Sequence, residues 1–192
     1  MTEDALWYEA ALLVGITNAL NVAADALAPS GVPLADLPVD GDAAPVFADI
    51  CAFYACADVP LAFRVLAGDG AYLADVWATT RHAFTDQRLT RRLKESLAFA
   101  VSVTTRSTWG TAFHLGEMRR LGVGPRGVME ILGVTQMFSS YTKIADTLQL
   151  EPDMAGIGPV DTTPVPGSPD SGVAARADHA ERGHSLAAPS PR

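Results

Sequence analysis

Ser107-Thr108-Trp109-Gly110-Thr111-Ala112-Phe113-His114 is the stretch on which the reading of this chain turns. On a helix, positions three, four and seven apart share a face. His114 therefore stands above Gly110 and near Ser107, with Glu117 and Met118 one turn further on. Glu95, Phe99 and Ser102 make a matching stripe one segment earlier, and the break expected near Arg106 to Thr108 turns the two segments into a helical hairpin. A carboxylate and an imidazole then fall on facing stripes.

The surrounding sequence supports an all-α reading. Asp4 to Leu27 spaces Leu6, Leu13, Ile16, Leu20 and Leu27 at steps of three, four and seven, and its Ala-rich composition favours helix. Residues 28–44 carry Pro29, Pro33, Pro38, Gly31 and Gly41, which predicts a connector, either a surface loop or a lid. Pro45 is expected to open a helix to about Ala57, and Pro60 another to Leu66. Ala71 to Ala83 follows after the Gly68-Asp69-Gly70 turn. Thr85 or Asp86 is the expected cap of the Glu95 helix, which runs to about Thr105. Gly122 and Gly124 end the His114 helix, and Pro125 starts the last one, through Ile131, Met137, Tyr141 and Leu148. No alternating strand pattern of useful length occurs. The expected organisation is an N-terminal helix and connector (1–44), a helical domain (45–153) and a tail (154–192) rich in Pro, Gly, Ala, Ser and Asp. Such a tail has too little apolar surface to offset its ordering entropy and is expected to be disordered, which removes His179 and His184 as site candidates.

With 192 residues, 48% of them hydrophobic, the chain can bury one substantial core. A net charge of -8 argues against nucleic acid or an anionic membrane as partner, since both require clustered cations. Arg88, Arg91, Arg92 and Lys94 form the one dense basic run and are read as a solvated face or a carboxylate-binding rim. No stretch holds some 18 to 20 uninterrupted apolar residues, and the acidic N-terminus lacks a signal peptide's basic region, so the expected compartment is the cytoplasm. Cys51 and Cys56 are the only cysteines. Five residues apart on a continuing helix they point to different sides, poorly placed for a disulfide, and are read as buried free thiols.

From Arg91 to Asp153 the chain resembles the alkylhydroperoxidase D (AhpD-like) and carboxymuconolactone decarboxylase superfamily. In that superfamily a helix bearing a Glu is followed by Cys-x-x-Cys-x-x-x-His. Counted back from His114, Ser107 and Gly110 hold the two thiol positions, and Glu95 falls at the spacing of the family's proton-relay Glu. Leu93 to Ala98, Met118 to Val123 and Ser140 to Asp146 frame the site in the same way. Val59 to Ala67 and Trp77 look like the family's lead-in helices, an element shared with group I 2-haloacid dehalogenases. The resemblance implies an AhpD-like helical bundle, a small pocket where the stripes meet, and a homo-oligomer.

It does not carry the redox activity across. Thiol–disulfide exchange needs an attacking and a resolving thiol, which Ser107 and Gly110 cannot supply. Cys51 and Cys56, as substitutes, lack both the Cys-x-x-Cys spacing and an adjoining His. Glu95 and His114 remain a competent acid/base pair near neutral pH. They stand either as the catalytic pair or as hydrogen-bonded relics joining two helices. Gly110 is expected to leave space beside Trp109 and His114 for a ligand, with Phe99, Thr104, Ser107 and Tyr141 as further lining. Ser107 ranks low as a nucleophile, having no evident oxyanion hole, and suits a helix N-cap. Two ligands are too few for zinc, and His82 is a remote third, so no metal or other cofactor is expected. The resulting expectation is a cofactor-independent, non-redox enzyme acting on a small organic metabolite by decarboxylation, isomerisation, elimination or hydrolysis. Its alternative is a catalytically silent binding or scaffold protein.

Overall fold

Thr90 and Ser107, each in extended backbone with its side-chain oxygen accepting an amide hydrogen of the following turn, set where the two central helices begin. They belong to a computed structural model that describes residues 4–28 and 33–149. Among the described residues seven α-helices run in order: α1 (Asp4–Leu27), α2 (Ala43–Tyr54), α3 (Leu61–Leu66), α4 (Gly70–Phe84), α5 (Arg91–Thr104), α6 (Thr108–Arg120) and α7 (Pro125–Thr147). A short 3-10 turn, Leu34–Asp36, lies between α1 and α2, and no strand occurs among the described residues. The all-α expectation holds. The tail, with His179 and His184, lies outside the described residues.

α5 and α6 pack most closely, and α1 lies against α3, α4, α5 and α6. The larger core cluster joins Leu20, Ile50, Tyr54, Phe63, Leu73 and Trp77; a second joins Leu13, Ala83, Phe84 and Ala98. α1 is a helix as expected, but its buried stripe differs. Leu13 and Leu20 are inside, whereas Leu6 and Leu27 are 43% and 57% exposed, and Glu9, Thr17 and Asn21 are buried instead. By length and composition α1 could cross a membrane, yet those polar residues face the bundle interior.

The connector, from Pro33 on, is strapped down. The Arg64 guanidinium donates to the carbonyls of Leu37 at 2.8 Å and Pro38 at 3.3 Å, and the Asp40 carboxylate accepts from the amides of Asp42 and Gly70. α5 starts later than expected, at Arg91. Thr85 to Thr90 form a turn, in which Asp86 accepts from the Arg91 amide and Thr90 rather than Thr85 or Asp86 is the cap.

Cys51 and Cys56 are free thiols as expected, half-buried rather than buried, but α2 places them differently from a continuing helix. The helix stops at Tyr54 because Ala55 adopts left-handed backbone (φ 51°, ψ 43°), and the Cys56 amide donates back to the Cys51 carbonyl at 3.1 Å. This is the Schellman closure, which folds the second residue past the cap onto the last helical turn. The two thiols therefore do not diverge around a continuing helix.

Candidate functional site

α5 ends at Thr104, and Arg106, at φ 60°, reverses the chain into Ser107. Ser107 Oγ accepts from the Gly110 amide at 3.0 Å, which caps α6 and commits that oxygen to a structural bond rather than to His114. The reversal brings the two sequence stripes together.

Their meeting point is a short, buried contact: His114 Nδ1 lies 2.7 Å from Glu95 Oε2, with the residues 1% and 0% exposed. The other carboxylate oxygen accepts from Arg91 Nε, also at 2.7 Å. Arg91 reaches on to Glu117 Oε2 at 3.3 Å, and Glu117 is gripped by Arg120 at 2.6 and 3.0 Å. Two guanidinium groups thus face two carboxylates, which satisfies charges that would be costly to bury alone. The Arg91 guanidinium stands 4.2 Å from the Phe53 ring centre, 5.0 Å from Tyr54 and 5.4 Å from Phe84. Phe84 stacks on the His114 ring with an interplanar angle of 5°, and Phe113 meets that ring edge-on at 5.2 Å.

In the neutral form of the ring, a carboxylate that accepts from Nδ1–H leaves the lone pair on Nε2. Nε2 is buried and has no hydrogen-bond partner among the described residues. The Tyr54 hydroxyl is likewise buried and unpartnered; burial first, then the Glu95 charge, push it well above the ordinary phenol range, so it remains a donor.

Gly110 does not open space. A β-carbon there would collide with the Asn21 carboxamide and come 2.5 Å from Ser102 Oγ. Asn21 Nδ2 donates to Ser102 Oγ at 3.0 Å, and Ser102 Oγ donates to the Ala98 carbonyl at 2.9 Å. The gap left by the missing side chain is filled from α1, which corrects the expectation of an enlarged pocket.

The remaining lining candidates separate. Trp109 is half-buried, stacked on Phe113 at 5.0 Å and edge-on to His114 at 6.4 Å. Phe99 is a buried core residue. Thr104 is exposed and borders a groove of about 580 Å³ between α5 and α7, and Tyr141 is 62% exposed on α7; neither shares the surroundings of His114. Five cavities among the described residues are lined by other residues than Glu95 and His114. His82 is exposed beside Gln87, and no group of three or more metal-ligating side chains occurs among the described residues.

Of the basic run expected to be a solvated face or a carboxylate-binding rim, Arg91 and Lys94 turn inward onto carboxylates of this chain. Lys94 is fully buried, 2.6 Å from Glu9 Oε1. The i,i+4 spacing of Arg91 and Glu95 and the i,i+3 spacing of Glu117 and Arg120 were usable signals. Asn21 gave none, because its partner is 81 residues away.

An all-α hairpin that pairs a buried carboxylate with a buried imidazole is what the geometry defines. Residues 71–150, a little under half of the chain, match the model of the carboxymuconolactone decarboxylase family. The match runs from α4 through α7 and includes Glu95, Ser107, Gly110 and His114, so the AhpD-like and carboxymuconolactone decarboxylase resemblance stands on this segment. No curated protein and no solved structure matches the chain.

Proposed function

We propose that the protein is a cofactor-independent, non-redox enzyme that uses Glu95 and His114 as an acid/base pair on a small organic metabolite. The observation that carries this reading is the His114 ring itself: Nδ1 is held by Glu95 at 2.7 Å, and Nε2 has no partner among the described residues. In such an arrangement Nε2 takes a proton from a substrate carbon, hydroxyl or water, and Glu95 stabilises the imidazolium that forms. The proton then returns to a leaving group or a developing carbanion, which suits decarboxylation, isomerisation, elimination or hydrolysis. The Tyr54 hydroxyl is a second donor held near the same charges. Access is by displacement of Trp109 and Phe113, the half-buried rings packed on His114.

The second reading, a catalytically silent binding or scaffold protein, is favoured by a different observation. Glu95 and His114 are fully buried, and neither lines any of those five cavities. Glu95→Gln and His114→Ala separate the two: a scaffold keeps its biological activity in both variants, and an acid/base enzyme loses it in both.

The reading includes a homo-oligomer. α7 buries none of its 23 residues in one copy, while Met129, Val134, Phe138, Ile144 and Leu148 are each more than half exposed. A second copy is the partner that covers this face. The reading also places the protein in the cytoplasm, supported by the core position of α1's polar residues, and gives it neither nucleic-acid nor membrane partners, supported by its net charge of -8.

A further inference from the structure

Cys51 and Cys56 flank the turn that ends α2, and the acid/base site uses neither. Ala55 in left-handed backbone and the 3.1 Å bond from the Cys56 amide to the Cys51 carbonyl define a six-residue closure. In that closure the side chain two places past the cap meets the one three places before it. The contact is ordinarily apolar; here two thiols fill it. Both are half-buried, so a small reagent reaches them. The residues enclosed by the pair include Phe53 and Tyr54, whose rings lie 4.2 and 5.0 Å from the Arg91 guanidinium. The turn therefore carries part of the aromatic cover over the Arg91–Glu95–His114 cluster.

We infer that Cys51 and Cys56 form an oxidisable dithiol that closes to an intramolecular disulfide by exchange with a small-molecule disulfide, fixing the end of α2 over Arg91. Cys51, as thiolate, attacks one sulfur of the small disulfide and expels the other as a thiolate, which takes up a proton. Cys56 then loses its proton and attacks the Cys51 sulfur, expelling the second small thiol. Two protein thiols are oxidised, one small disulfide is reduced to two thiols, and excess thiol reverses both steps. The order follows from Cys56: burial, and then the adjacent Cys51 thiol, push it up to about 11. It is a poor first nucleophile at neutral pH, but its contact with Cys51 makes the second, intramolecular step favourable.

The test is to equilibrate the full chain with oxidised and reduced glutathione at graded ratios, followed by alkylation, intact mass and peptide mapping. Under oxidising ratios the expected product is lighter by two hydrogen atoms, carries no glutathione, resists alkylation at both cysteines and returns to the dithiol with excess thiol. Cys56→Ser should instead hold one glutathione on Cys51. Amide exchange across residues 52–57 should slow in the oxidised form. Stable glutathione adducts on the wild type, a disulfide between chains, or two alkylatable thiols at every ratio would each overturn the disulfide, and unchanged amide exchange would overturn its effect on α2.

Discussion

The Asn21 carboxamide occupies the space that a β-carbon on Gly110 would need. α1 thereby reaches across the bundle to the position at which the family resemblance places the second thiol. Gly110→Ala should cost about 1–3 kcal/mol, the usual range for overpacking a filled interior. Asn21→Ala should recover part of that loss, leaving a coupling of about 1 kcal/mol in a double-mutant cycle read by urea unfolding. Simple additivity of the two changes would contradict the contact. Restoring cysteines at 107 and 110 should meet the same obstacle unless Asn21 is truncated.

Glu95 holds two partners at 2.7 Å in a fully buried position. Glu95→Ala leaves Arg91 and His114 without their carboxylate and should cost about 3–5 kcal/mol. Glu95→Gln keeps hydrogen-bonding atoms in place and should cost clearly less. Chemical denaturation of the three proteins at neutral pH checks the order.

Glu9 supplies the acid dependence. Burial alone would raise its pKa, but the Lys94 ammonium and the amides of Leu89 and Arg88 outweigh that and hold it below its ordinary 4.5. A carboxyl with a lowered folded-state pKa stabilises fully above its unfolded pKa, and loses that contribution as pH falls through the folded one. The stability gap between wild type and Glu9→Gln should be widest near neutrality and shrink below about pH 4.5. A gap constant from neutral pH down to pH 3, about a unit and a half below the ordinary Glu value, would contradict the pairing.

Ser107 caps α6 through the Gly110 amide. Ser107→Ala should cost about 1 kcal/mol of stability and leave any turnover intact. Abolished turnover in a folded Ser107→Ala protein would reinstate the serine as a nucleophile.

Phe138 is 63% exposed on α7, beside the groove against α5. Phe138→Asp should lower the mass measured by light scattering at micromolar concentration while the helical signal of the fold persists. Equal masses for the two proteins would remove α7 from the oligomer interface.

The hairpin was legible because two stripes of local spacing and one loop break determine it, and Glu95 and His114 meet as those stripes require. The helix set was legible for the same reason, since Gly and Pro mark most of the boundaries. What escaped the reading depends on contacts remote in sequence. Whether Gly110 is a hole or a filled site is decided by Asn21, and whether Lys94 is solvated or buried is decided by Glu9. Cys51 and Cys56 were misplaced for a local reason: one left-handed residue, Ala55, reverses the geometry that a continuing helix would give, and alanine carries no signal for that conformation.

Incubating the protein with a small-metabolite library, with product detection by mass spectrometry, tests the acid/base role most directly. The samples are the wild type and folded His114→Ala and Glu95→Gln variants. With wild type the expected result is at least one metabolite that loses carbon dioxide or water, gains water, or yields an isomer of equal mass resolved by chromatography, and the change should disappear in both variants. Turnover that survives His114→Ala, or metabolites that bind all three proteins and emerge unchanged, would contradict it.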